Sequence, residues 1–134
     1  MTRAQFESLV RDALSAIPRD FRERFQNLEV VVEDRPTGEL LAEMGLEPGE
    51  TLFGLYQGTP LTERGWSHGN DLPDRIVIYQ RPLEEAFEDD EELFEEVCLT
   101  IIHEAGHFFG LEEDAIEAIE DEFWYGDAAS GEEP

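Results

Sequence analysis

Leu93-Phe94-Glu95-Glu96-Val97-Cys98-Leu99-Thr100-Ile101-Ile102-His103-Glu104-Ala105-Gly106-His107-Phe108-Phe109-Gly110 carries the strongest pattern in the chain. Leu93, Phe94, Val97, Cys98, Leu99, Ile101, Ile102, Ala105, Phe108 and Phe109 cover most of a helical circumference, which predicts a buried helix. One narrow stripe is polar: Glu96, Thr100, His103 and His107 follow a 4-3-4 spacing and fall on one side. Buried polar groups need partners. Residues i and i+4 project from one helix face, so the two imidazoles are placed to ligate a single tetrahedral zinc ion, Zn2+. Glu104, beside the first histidine, is placed to take a proton from a metal-activated water, which marks it as the candidate catalytic base. The chain holds three histidines, and two of them are in this stripe.

Outward from this core, Asp89 and Asp90 predict the helix start, with acids crowding the first turns where the helix dipole favours negative charge. Gly110 has the position and chemistry of a left-handed cap near Phe109, and it allows the backbone to reverse. Glu113, three residues further, is then the candidate third ligand, with Asp114 second and Glu117 or Glu120 next. A last helix fits 112–124. Ahead of the long helix, Arg75-Ile76-Val77-Ile78-Tyr79-Gln80 reads as a strand closed by Pro82. Thr51–Tyr56 and Leu28–Glu33 read as two more strands. Residues 2–16 predict an amphipathic helix with a Thr2/Gln5 capping box, stopped at Pro18. A short second helix holding Phe21 and Phe25 follows. The pattern implies a small α/β or α+β layer, a three-stranded sheet on helices, in a single domain over residues 1–125 with an acidic tail at 126–134.

Composition limits the partners. The 134 residues carry 34 acids against 9 basic residues, a formal charge of −25. All nine are arginine, and residues 82–134 hold 20 acids and no basic residue. Such a field repels phosphate backbones and anionic headgroups, so neither nucleic acid nor membrane is an expected partner, while cations are concentrated. Most of these carboxylates, including the run from Glu84 to Glu96, read as a solvated face. The single cysteine, Cys98, excludes an internal disulfide and reads as a small buried hydrophobe. With no apolar leader and no stretch of about 18 apolar residues, the expected species is a cytoplasmic monomer. His68 reads as an exposed loop residue, and Tyr79, Arg81 and Tyr125 are minor candidates for stabilising an oxyanion.

The run from His103 to Glu113 resembles the extended zinc signature of metzincin-like peptidases. Leu55-Tyr56-Gln57-Gly58-Thr59-Pro60-Leu61-Thr62-Glu63-Arg64 and the stretch from Leu72 to Pro82 are similar to the bacterial minimal-zincin family of metallopeptidases. The resemblance implies an α+β zincin-like core, with a short mixed sheet over the metal helix and an edge strand bounding the cleft. It also implies zinc-dependent hydrolysis of peptide bonds. The chain departs from the metzincin pattern in two places: Met1 and Met44 both lie upstream of the zinc helix, and the last ligand position, usually aspartate or histidine, is Glu113. A second function is compatible with so small a chain, namely a protein-binding or regulatory module on the same scaffold with little turnover. An open coordination position facing a groove would favour the enzyme, and a site closed by a fourth protein ligand would favour the module.

Overall fold

The computed structural model describes residues 1–23, 28–47, 49–58 and 74–121. Among them the order is α1 (Arg3–Ala16), α2 (Arg19–Arg22), β1 (Leu28–Glu33), α3 (Gly38–Glu43), β2 (Gly54–Gln57), β3 (Asp74–Tyr79), α4 (Gln80–Ala86), α5 (Asp90–Phe108) and α6 (Glu113–Asp121). The architecture is α+β, as expected. The sheet is mixed, in the order β1-β3-β2. β1 runs parallel to β3, with Val30 opposite Ile76, and β2 runs antiparallel to it, with Tyr56 opposite Ile76.

Local chemistry explains the helix ends. Thr2 and Gln5 exchange both bonds of a capping box at the start of α1. The Asp89 side chain accepts from Glu92 N at the start of α5. At the other end of α5, Gly110 adopts φ 73°. There, Leu111 N donates to Gly106 O and Gly110 N to His107 O, each at 3.0 Å. This pair of bonds is a Schellman cap, which satisfies two orphan carbonyls and turns the chain back along the helix it has just left.

The packing explains why α5 is buried or half-buried beyond its first turn. Phe6, Val10 and Ala13 of α1, Ile17 at its C-cap, Ile76 and Ile78 of β3, Leu83 of α4, and Leu93, Val97, Cys98, Ile101, Ile102 and Ala105 of α5 form one buried cluster. The helix is therefore held between α1 and the sheet. β3 is central, so the alternate residues Val77 and Tyr79 are buried as well.

Two expectations change, and one further element appears. The second strand is Gly54–Gln57 instead of 51–56: the paired register with β3 starts at Gly54, and Phe53 ahead of it contributes its carbonyl, which accepts from Tyr79 N. Pro82 does not close a strand: it lies within the first turn of α4, where a missing N–H costs nothing. The segment after Arg35-Pro36 forms α3, capped by the Thr37 side chain accepting from Leu40 N. Of the last helix, Glu113–Asp121 is described. Phe25, His68, Tyr125 and the 126–134 tail lie outside the described residues.

Candidate metal centre

Helix α5 supplies three side chains of the site. His103, Glu104 and His107 each offer a ligand atom, and these atoms lie within 4.8 Å of one another. All three are half-buried. The two imidazoles meet edge to face, with ring centroids 4.9 Å apart. The spacing of four residues on an α-helix produces this pairing directly.

The reversal at Gly110 then delivers Glu113. Its Oε1 lies 3.9 Å from His103 Nε2 and 4.0 Å from His107 Nε2. Donors around a tetrahedral zinc, at ligand distances of about 2.1 Å, stand roughly 3.4 Å apart. Two imidazole nitrogens, each slightly farther than that from one shared carboxylate oxygen, are a donor set whose chemistry fits such an ion. Glu113 was the first sequence candidate for this position, and its carboxylate approaches both imidazoles.

Glu104 is also close to the histidines, yet it has a different partner. Its Oε1 accepts a hydrogen bond from the Tyr56 backbone N–H at 2.8 Å. In the antiparallel register, Tyr79 N donates to Phe53 O, so the N–H groups of alternate residues 54 and 56 point away from β3. Tyr56 N–H is therefore an outward donor of the edge strand, and Glu104 caps it. β2 can approach α5 this closely because Gly54 has no side chain. A Cβ there would stand 2.6 Å from Thr100 Cγ2 and 3.1 Å from Val77 O.

Glu104 and His107 open onto a cleft of about 530 Å³ that Met44, Leu52, Tyr56 and Leu111 also line, among others. β2 bounds it on one side, as the resemblance implied. Tyr56 is braced at both ends: its ring meets Phe108 edge-on at 5.9 Å and its hydroxyl donates to Asp74 Oδ2 at 3.0 Å.

The polar stripe continues along α5. Thr100 Oγ1 donates back to Glu96 O at 2.8 Å. Burial, with added repulsion from Glu92, Glu95 and Glu120, pushes the Glu96 carboxyl above its ordinary range. His103 Nδ1 lies 3.3 Å from Glu120 Oε1 on α6.

The minor candidates are elsewhere. Tyr79 is 1% exposed within the central strand, and burial raises its phenol above the usual value. It is a core residue. Arg81 pairs with Asp34 at 3.0 Å and Glu84 at 3.6 Å in salt bridges at the rim. Cys98 is fully buried, with Sγ 3.8 Å from Ala13 O. Sequence reasoning placed Tyr56 in a strand and Glu120 among reserve ligands. It missed the strand anchor of Glu104 and the partner of His103 Nδ1. Only the spacing of Glu113 and Glu120, seven residues apart on one helix face, hinted at the second.

Residues 25–123 match the model of the zincin-like metallopeptidase family. The chain belongs to that family, whose chemistry implies a bound metal, and the His-Glu-His cluster on α5 fits one. Its structure is similar to that of a conserved hypothetical protein from Thermo thermophilus, with a TM-score of 0.52 and 26% identity over 79% of this chain and 92% of that one. No curated protein matches the chain.

Proposed function

We propose that this chain is a zinc-dependent peptidase. The observation that carries this reading is the approach of Glu113 Oε1 to both Nε2 atoms within 4.0 Å, beside an open cleft that also exposes Glu104. His103, His107 and Glu113 would hold the ion. When bound, zinc supplies Lewis acidity that polarises a carbonyl and makes water acidic. Glu104 would take the proton from the attacking water and hand it to the leaving amine. Tyr56 N–H fixes one of its oxygens and leaves the second for that proton. A carboxylate held on a strand keeps one orientation through the transfer, which lowers the cost of reaching the reactive geometry. An extended peptide would lie in the cleft along β2, with apolar side chains against Met44, Leu52 and Leu111.

His107 and Glu104 both line the cleft, which favours the enzyme over a binding module of low turnover. The partner is then a peptide or protein substrate. A monomer in the cytoplasm is the setting we propose, and no described helix is long and apolar enough to cross a membrane.

The test pairs metal analysis with one variant. Gently purified protein should carry about one zinc per chain, and changing His103 and His107 together to alanine should remove it. Glu104→Gln should retain the zinc while peptide hydrolysis falls by roughly 10²- to 10⁴-fold. Loss of zinc in Glu104→Gln would make Glu104 a ligand and overturn the assignment. Absence of cleavage by wild type across a broad peptide library would transfer support to the binding module.

A further inference from the structure

Helix α6 reaches the candidate centre twice. Glu113 stands at its first residue, Ile116 one turn on, and Glu120 one turn further, so all three share a face. Ile116 is fully buried, and it seats the helix on Gly106, where a Cβ would lie 2.5 Å from Ile116 Cγ1. On either side of that anchor, the two acids address opposite nitrogens of one ring. Glu113 Oε1 is 3.9 Å from His103 Nε2, and Glu120 Oε1 is 3.3 Å from His103 Nδ1.

We propose that Glu120 is a positioning residue for the centre, accepting a hydrogen bond from His103 Nδ1–H and so presenting the Nε2 lone pair toward Glu113 and the metal. An ionised carboxylate only accepts hydrogen bonds. The proton of a neutral His103 must therefore sit on Nδ1 for this contact to be favourable; with the proton on Nε2, two lone pairs would face each other. An imidazole in water ordinarily prefers its proton on Nε2, the tautomer with no lone pair for the metal on that nitrogen. Glu120 reverses the preference and orients the ring. Its side chain is 28% exposed, so water competes only partly for the bond. The proposal rests on the metal-centre reading, but the tautomer can be measured without metal.

The experiment has two readouts. Two-bond proton–nitrogen correlation spectra of metal-free protein, recorded where the His103 signals no longer change with pH, should show the Nδ1–H tautomer. Glu120→Ala should shift His103 toward Nε2–H. Competition with a zinc chelator should show Glu120→Ala weakening zinc binding by about 10- to 100-fold. Glu120→Gln can still accept through its amide oxygen and should recover most of that loss. Glu117→Ala removes the same charge from an exposed position of the same helix and should change little. An unchanged tautomer in Glu120→Ala overturns the proposal. Equal losses in Glu120→Ala and Glu120→Gln make Glu120 a ligand or a bulk charge, and overturn it too. Equal effects of Glu117→Ala and Glu120→Ala do the same. If wild type binds no zinc, the metal-centre reading fails, and the tautomer alone decides the role of Glu120.

Discussion

Glu113 and Asp114 are adjacent acids at the start of α6, and their side chains diverge by about 100° around the helix. Of the two, Glu113 is the one seen close to both imidazoles, at 3.9 and 4.0 Å. Glu113→Ala should therefore weaken zinc binding sharply in a chelator competition, whereas Asp114→Ala should have a small effect. The reverse order would move the ligand to Asp114. A different outcome is expected at Cys98, five residues before His103. Burial between α5 and α1, with added repulsion from Glu95, pushes its thiol up to about 12. A raised thiol pKa means that the protonated, unreactive form dominates at pH 8. Iodoacetamide should leave the native protein unmodified and label it once urea unfolds it. Rapid labelling of native protein would show that the α1–α5 interface opens.

At the scale of elements, the site depends on how closely α6 and β2 sit on α5. Gly106 lies between the motif histidines, and its missing side chain leaves space for Ile116. Gly106→Ala would gain about 1 kcal/mol of helix propensity. It would also force a Cβ to 2.5 Å from Cγ1 and 2.7 Å from Cδ1 of a fully buried isoleucine. Overpacking of that kind costs about 1–3 kcal/mol, so the steric term wins. The urea midpoint should fall. Zinc binding should weaken as well, because α6 carries Glu113 and has to move away. A stabilised variant with wild-type zinc affinity would show that Ile116 repacks freely and that α6 docking does not govern the centre.

The whole molecule adds a field. With a net charge of −25 and no lysine, the surface attracts cationic chains over roughly a Debye length, about 10 Å at 0.1 M salt. Under the proposed peptidase activity, a peptide with arginine or lysine flanking an apolar residue should be cut faster than its glutamate-flanked counterpart. Raising the salt should narrow that difference, mainly through kcat/KM. A preference for acidic flanks at low salt would mean that the local cleft potential opposes the net charge. The same field also sets a cost: carboxylates crowded along α5 and α6 repel one another, and at Glu96 the repulsion from Glu92, Glu95 and Glu120 adds to burial, the main cause of its raised carboxyl. A bound cation would relieve part of it.

Features set by short-range spacing were legible without the fold. The shared face of His103 and His107, the Thr2/Gln5 capping box, the Asp89 cap and the reversal at Gly110 each depend on residues within one or two helical turns. So did the approach of Glu113, which needs only a helix end and a left-handed glycine. Pro82 misled, because proline ends a strand and begins a helix by the same chemistry, its fixed φ and missing N–H. The rest was decided by tertiary structure. Tyr56 N–H meets Glu104 across 48 residues, and Glu120 reaches His103 across 17. No periodicity links such pairs. They meet because β3 takes the centre of the sheet, leaving β2 an outward N–H over α5, and because Ile116 packs into the space at Gly106. Packing two surfaces together fixes which polar atoms face each other, and a chain's local pattern carries no record of that choice.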